Sequence, residues 1–254
     1  IMIKKLIKKI INNLGFDLKR YNSHQKKINL DDLLKDYVSS NPIIFDVGGN
    51  KGQSIEKYLQ IFDKPIIHSF EPIKTEFNIM HEKFKDDDNV KLNNYALGEI
   101  EEEKNFNISA QTGASSFNKI NNNSRWIKLR SKEYKTTINE FVTTTKVKIS
   151  TLDDYFLNNK VDHIDLLKID TQGYEDKVLQ GSKNTLKQNK IKAIITEVMF
   201  DNVYDKYFSF SDLEKFLLPN NFRMVGIYLY SNSLFDNLTF FADVCYFNKN
   251  YYDL

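Results

Sequence analysis

The stretch FDVGGNKG at residues 45–52 closes a short apolar run that begins at Pro42. An apolar run of this length, ended by glycines, predicts a buried β-strand and a turn into a helix. Glycines in such a turn let a ligand approach the backbone closely, at the N-terminus of the helix that follows. An acid precedes the first glycine and the glycines are more widely spaced than in the G-x-G-x-x-G pattern of nicotinamide-binding domains. The stretch therefore predicts an α/β fold with a ligand site at this turn.

Outward from this stretch, strand-like runs alternate with segments of helical periodicity. The predicted strands are Pro42–Val47, Pro65–Glu71, Val90–Leu97, His163–Asp170, Ile191–Val198, Phe222–Tyr230 and Phe240–Phe247. Helices are predicted after the first, second, fourth and fifth strands, and the last of them opens with Ser211 at capping-box spacing. Residues 231–239 are too few for a helical crossover, so the last two strands should pair antiparallel. The pattern predicts a Rossmann-like α/β fold: a mostly parallel seven-stranded sheet with one antiparallel strand at the C-terminal hairpin, the architecture of the large class of S-adenosylmethionine methyltransferases.

Composition bounds the class of protein. The chain has 254 residues, 41% of them hydrophobic, which suffices for one sizeable core. The net charge of +2 gives no argument for a nucleic-acid partner, and none is expected. The single cysteine, Cys245, excludes an intramolecular disulfide and favours a cytoplasmic location. We expect a basic amphipathic helical segment over residues 1–40 and a ligand-binding domain over 41–254, with a polar insertion at about 99–147.

The N-terminal segment has an amphipathic pattern. Apolar residues line one helical face and lysines the other: Ile3, Leu6, Ile7, Ile10, Ile11 and Leu14 against Lys4, Lys5, Lys8 and Lys9. Such a helix either packs on protein, its own domain or a second copy in a homo-oligomer, or lies on an anionic membrane surface through residues 1–14. Because apolar stripes are usually core faces, we expect packing on protein.

The insertion at 99–147 breaks the alternation of strands and helices with polar runs. It predicts one or two short strands that act either as a substrate lid or as a plain solvated insertion. It also holds the single tryptophan, Trp126, which either stacks on a sugar or base or packs in a satellite cluster.

Two acids flank the glycine turn. Asp46 either holds the ammonium of an amino-acid moiety, directly or through water, or is a turn residue. Glu71 ends the second strand, where a carboxylate can accept both ribose hydroxyls of an adenosine. The glycines and Glu71 alone fit NAD and S-adenosylmethionine equally.

Six stretches resemble the FkbM-type methyltransferases. They are FDVGGNKG at 45–52, SFEP at 69–72, NYALG at 94–98, GASS at 113–116, STLDDY at 150–155 and LKIDTQGYE at 167–175. The resemblance covers about residues 42–248, and the last stretch is the most specific. It implies S-adenosylmethionine as cofactor, oxygen methylation, and sugars or surface-glycan precursors as substrates. The cofactor-binding residues that follow are Asp46, Gly48, Gly49, Asn50, Gly52, Glu71, Pro72, Tyr95, Ala96, Ser115, Ser116 and Asp170.

Three acids are predicted to meet at the carboxyl end of the sheet. Asp170 and Glu197 end neighbouring strands, and Asp243 begins the returning antiparallel strand. A sugar hydroxyl is a poor nucleophile, and the histidines are badly placed to activate it. Asp170 and Glu197 are therefore the candidate catalytic residues, either as a general base or, with Asp243, as ligands of Mg²⁺, Mn²⁺ or iron. A third reading is that Asp170 and Glu197 only bond helix N-termini.

Taken together, the sequence predicts an S-adenosylmethionine-dependent O-methyltransferase that acts on a sugar or nucleotide-sugar hydroxyl. It is expected in the cytoplasm, with the membrane surface as the alternative. Two competing functions stay open. One is a nicotinamide-dependent oxidoreductase, and the other is a non-catalytic, membrane-associated scaffold with the same fold.

Overall fold

The structure is a computed structural model that describes residues 29–109, 112–135, 142–229 and 239–252. The predicted amphipathic helix and its possible membrane contact, at residues 1–14, lie outside the described residues. Within the described part, no helix is both long enough and apolar enough to cross a membrane.

A seven-stranded sheet forms the centre of the domain. Its strands are β1 (Ile43–Val47), β2 (Ile66–Phe70), β3 (Val90–Asn93), β7 (Ile164–Ile169), β8 (Ile191–Met199), β9 (Phe222–Leu229) and β10 (Phe241–Asn248). The order across the sheet is β3-β2-β1-β7-β8-β10-β9, and β10 runs antiparallel to both of its neighbours. The predicted Rossmann-like fold, with its C-terminal hairpin and single antiparallel strand, is confirmed.

A second, three-stranded sheet was not predicted. It contains β4 (Ala96–Leu97), β5 (Glu102–Ser109) and β6 (Val142–Ser150) in the order β4-β6-β5. The predicted strand Val90–Leu97 is therefore split, because its last two residues leave the main sheet and pair with β6. The insertion also holds helix α4 (Arg125–Tyr134), and its strands of 8 and 9 residues exceed the short ones expected.

Helices cover both faces of the main sheet. Besides α4 they are α1 (Leu30–Tyr37), α2 (Gln53–Ile61), α3 (Lys74–Phe84), α5 (Leu152–Asn158), α6 (Glu175–Gln180), α7 (Lys183–Lys187) and α8 (Phe210–Leu217). The helix predicted over 174–187 is two helices, α6 and α7. The predicted cap of α8 is wrong: Ser209, not Ser211, accepts the N–H of Asp212 and begins the helix.

Two hydrophobic clusters lie on opposite faces of the sheet. One contains Phe45, Leu167 and Ile194, and the other contains Ile44 and Ala193, as alternation along buried strands requires. Helix α1 adds buried leucines, Leu33 and Leu34, to the second cluster. Residues 29–40, the described part of the predicted 1–40 segment, thus pack against the core of the domain.

Candidate active site

A cavity of about 280 Å³ opens at the carboxyl ends of β1, β2 and β7. This is the edge of an open α/β sheet where ligands bind. Its floor is the glycine turn after β1, and its side walls come from β2, β7 and the insertion. Glu71 and Pro72 line the cavity next to β2, and Asp170 and Gln172 line it next to β7.

The turn after β1 requires glycine because a side chain would not fit there. Gly48 has φ 92°, and a Cβ at this position would collide with the backbone carbonyl of Asp170. The N–H groups of Gly48 and Gly49 both donate to the Phe70 carbonyl, at 3.0 Å each. Strands β1, β2 and β7 are thereby drawn together under the cavity, which leaves the backbone open to a ligand.

Glu71 lies on the cavity wall with both carboxylate oxygens already engaged. One oxygen accepts the Asn50 N–H at 2.8 Å, and the other accepts the Ile73 N–H at 2.7 Å. Each oxygen keeps a free lone pair, so two further donors can still bind. Burial raises the pKa of Glu71 to about 7, although these two bonds act in the opposite direction.

Asp46 does not line the cavity, so its predicted contact with a ligand ammonium, directly or through water, stays a prediction. Its carboxylate is fully buried and accepts the Ser69 hydroxyl at 3.0 Å. Its other oxygen lies 3.3 Å from the Lys168 ammonium, an ion pair rather than an aligned hydrogen bond. Lys168 lines the cavity and also pairs with Asp170 at 3.4 Å. Asp46 therefore holds Lys168 in place.

Lys168 was missed as a site residue, although it lies in the most specific of the matching stretches. Burial lowers the pKa of its ammonium, but the charges of Asp46 and Asp170 outweigh that effect and hold the pKa above its ordinary value. A buried lysine between two carboxylates is charged and rigid. It neutralises the acids beneath the cavity.

The remaining predicted cofactor residues divide into two groups. Those on the cavity wall are Gly48, Gly49, Asn50, Glu71, Pro72, Ala96, Ser115 and Asp170. Those outside it, besides Asp46, are Gly52, Tyr95 and Ser116. Gly52 begins α2 at φ 87° against Phe84, and Tyr95 packs on Phe70. The insertion contributes Phe106 and Phe117 to the wall, and no local motif marked either of them.

A second cavity, of about 220 Å³, adjoins the first. Its wall is mostly apolar, with one carboxylate: Gly113, Ala114, Trp126, Gln172, Glu197, Met199, Val203 and Phe241. Gly113 and Gln172 line both cavities, so the cavities are neighbours at these two residues, a boundary that we call the junction. Trp126 packs in a small buried cluster and also lines this second cavity. Its position is compatible with both alternatives, packing in a satellite cluster and stacking on a sugar or base.

The carboxylates of Asp170 and Glu197 are bridged by an amide. Nε2 of Gln172 donates to both, at 2.9 Å each. Burial raises the pKa of Glu197 well above its ordinary value, and the charges of Asp170, Glu175 and Asp243 add to the effect, while Lys168 opposes it. Glu197 is therefore a carboxylate of raised basicity at the junction of the two cavities.

The predicted three-acid metal site does not form. Asp243 does lie opposite Glu197 in the β8–β10 register, and Asp170 directly follows β7. Between Asp170 and Glu197, however, the Gln172 amide occupies the position that a cation would need, and an N–H donor repels a cation. In the part of the chain that the structure describes, no three His, Cys, Asp or Glu side chains are arranged to hold a metal ion.

The turn between β7 and α6 is held by a different acid. Glu175 is buried and accepts the N–H groups of Thr171 and Gly173, at 2.9 and 3.2 Å. Burial raises its pKa to about 7. The reading in which Asp170 and Glu197 only bond helix N-termini does not hold, because both acids accept from the side-chain amide of Gln172.

Known proteins agree with this architecture. A sequence profile of the methyltransferase FkbM domain matches residues 46–224. The 2-O-methyltransferase NoeI of Sinorhizobium fredii is 27% identical over 165 residues, which are 65% of this chain and 66% of that protein, just under two thirds of its length.

Solved structures are similar in fold alone. TrmK of M. capricolum with S-adenosylhomocysteine is 12% identical over 87% of this chain and 68% of its own, with a TM-score of 0.47. Magnesium protoporphyrin IX methyltransferase of Synechocystis with bound S-adenosylmethionine is 10% identical over 96% of each chain, with a TM-score of 0.45. The profile spans more than half of the chain, so this protein belongs to the FkbM-domain family of methyltransferases.

Proposed function

We propose that the protein is an S-adenosylmethionine-dependent O-methyltransferase that acts on a hydroxyl of a sugar or nucleotide-sugar precursor. Family membership supports methyl transfer. The observation that carries the proposal is the junction of two cavities at Gln172, with a basic carboxylate, Glu197, on the far side. The name of the relative NoeI, a 2-O-methyltransferase, supports oxygen as the methylated atom.

The two cavities suit the two substrates. Glu71 presents free lone pairs to the ribose hydroxyls of S-adenosylmethionine, as the sequence predicts, and Ala96 and Pro72 flank it. The methyl donor then faces the junction at Gly113 and Gln172. The acceptor ring lies against Trp126, since apolar sugar faces stack on aromatic rings, and one hydroxyl points at Glu197.

The chain's own contribution to the chemistry is a proton acceptor and a fixed geometry. When bound, S-adenosylmethionine supplies an electrophilic methyl group on a sulfonium. Glu197 accepts the proton of the acceptor hydroxyl as the oxygen attacks, and its raised pKa favours that transfer. Asp170 already pairs with Lys168 and lines the first cavity, whereas Glu197 lines the cavity proposed for the acceptor. We therefore assign the base to Glu197.

The test is methyl transfer from labelled S-adenosylmethionine to a panel of nucleotide sugars. Glu197→Gln should lower kcat by about 10²–10⁴-fold and the affinity for S-adenosylmethionine by less than about tenfold. Glu82→Gln, at an exposed surface ion pair, is the matched control. Methylation at nitrogen or carbon, or full activity in Glu197→Gln, would contradict the proposal.

Chelation tests the base against the metal mechanism. We expect full activity in excess chelator, because the amide of Gln172 stands where a cation would bind. Activity that is lost with chelator and returns with one cation would restore the metal mechanism.

A further inference from the structure

Gln172 has an unusual position in the site. It lines both cavities, and its side-chain amide donates one N–H to each of two carboxylates, Asp170 and Glu197. Its Oε1 lies 3.3 Å from the hydroxyl of Tyr204. Burial and nearby carboxylates raise the pKa of Tyr204, so this hydroxyl stays protonated and is a donor. Both N–H groups of the amide thus have acceptors, and its oxygen shares the Tyr204 O–H with the Ala114 carbonyl, which lies 3.0 Å from that hydroxyl.

The backbone at Gln172 is held in an unfavourable conformation to aim this amide. Gln172 has φ 58° and Gly173 has φ 89°, two successive left-handed residues of which only the second is a glycine. The turn is tied down from outside: Ser116 donates to the Gln172 carbonyl at 2.7 Å, and Asn118 donates to the Gly173 carbonyl. Strain kept by such anchors points to a function for the side chain.

The surroundings are mainly acidic. The charges of Asp170, Glu175 and Asp243 raise the pKa of Glu197, and the charge of Lys168 lowers it. Two ionised carboxylates this close repel each other, so without the two N–H bonds one would swing away or take up a proton. Either change would weaken the negative potential at the junction.

That junction is where the transferred methyl must lie, because the acceptor cavity meets the cofactor cavity there and at Gly113. S-adenosylmethionine is a sulfonium cation at this atom, whereas its product, S-adenosylhomocysteine, is a neutral thioether. The negative charge of this carboxylate pair attracts the sulfonium at the junction and not the thioether.

We propose that Gln172 is a positioning residue: it holds Asp170 and Glu197 together at the junction, and this pair makes the site prefer S-adenosylmethionine over S-adenosylhomocysteine. The inference rests on the proposed function. The carboxylate pair would also favour product release, because the site loses its attraction for the cofactor when the positive charge leaves with the methyl group.

The test is calorimetric titration of each ligand into the wild-type protein and two variants. Gln172→Asn keeps an amide and tolerates the left-handed backbone, but it is too short to reach both acids. Gln172→Met keeps the length and loses both donors. In each variant, the Kd for S-adenosylhomocysteine divided by the Kd for S-adenosylmethionine should fall by about fivefold or more towards one. Gln180→Met is the matched control, since its amide lies 3.5 Å from Asp176, outside both cavities, and its ratio should stay at the wild-type value.

Each other result overturns the proposal. If Gln172 had only a structural role, its substitution would weaken the binding of both ligands equally and leave the ratio of the two Kd values unchanged. A wild-type protein that binds both ligands equally well lacks the preference. Binding of neither ligand to a wild-type protein with native circular dichroism would overturn the proposed function, and the inference with it. Asparagine tolerates the left-handed backbone at this position. If Gln172→Met misfolds, the Gln172→Asn variant therefore still tests the proposal.

Discussion

The two cavities at the candidate active site are built in different ways. The cavity proposed for the cofactor takes three short runs of wall residues from the turns that directly follow β1, β2 and β7, and the others mainly from strand ends and the insertion. The acceptor cavity takes Trp126 from the insertion, Glu197 from β8 and Phe241 from β10, three segments far apart in sequence. A local motif can therefore announce the first cavity, whereas only long-range packing assembles the second.

The cavities also differ in charge. The cofactor side rests on a buried ion pair between Asp46 and Lys168. The acceptor side has an apolar wall with a single carboxylate, Glu197. Substitutions on the first side should cost stability and cofactor affinity together, and substitution of Trp126 on the second should change acceptor use alone.

The largest expected effect is at Lys168. Lys168→Met leaves the fully buried Asp46 without its cation, and loss of one partner of a buried pair costs about 3–5 kcal/mol of unfolding free energy. Urea unfolding followed by circular dichroism measures it. Lys177→Met, at a half-exposed pair with Glu99, should cost less than about 1 kcal/mol. A similar small loss for Lys168→Met would show that Asp46 does not need the lysine.

The next effect is a pH dependence of stability that comes from Glu175. Its pKa is raised to about 7 in the folded protein from an ordinary 4.5, so the folded state holds a proton that the unfolded state releases between these values. Stability is then lost as pH rises from about 4.5 to 7, by roughly 3 kcal/mol for this group. Unfolding at both pH values should show a smaller loss in Glu175→Gln. An equal loss in the variant would assign the dependence elsewhere.

A smaller effect tests the cofactor end. Glu71→Ala removes the acceptor for the ribose hydroxyls, and hydrogen bonds to a charged group contribute roughly 1.5–3 kcal/mol. Affinity for S-adenosylmethionine, measured by calorimetry, should fall by about tenfold or more. Because the same carboxylate anchors the N–H groups of Asn50 and Ile73, a melting curve controls for the turn. Unchanged affinity in a folded variant would place the adenosine elsewhere.

The smallest effect tests the acceptor end. Trp126→Leu keeps an apolar side chain but removes the aromatic face, which contributes about 0.5–1.5 kcal/mol. KM for the acceptor should rise several-fold, while the Kd for S-adenosylmethionine stays the same. If both constants change together, the two cavities are not independent, and the contrast between them fails.

Local sequence patterns were enough to predict the main sheet. The apolar runs, the glycine turn and the short link before the last strand determine which segments are strands and which way they run, because these depend on neighbours along the chain. Glu71 and Asp170, which the sequence predicts at the cofactor site, line the first cavity, and Glu197 lines the adjoining one, while their roles stay predictions. Where a pattern was ambiguous the prediction was wrong, as at Val90–Leu97, whose last two residues pair with β6 some 50 positions later.

Only the tertiary structure decided what each polar group does. Asp46 reads as a ligand contact, but burial commits it to Ser69 and Lys168. Asp170 and Glu197 read as metal ligands, but Gln172 places an amide between them. The physical reason is that a side chain's role depends on its burial and on its nearest polar partners, and these come from strands and turns that the chain order does not place together.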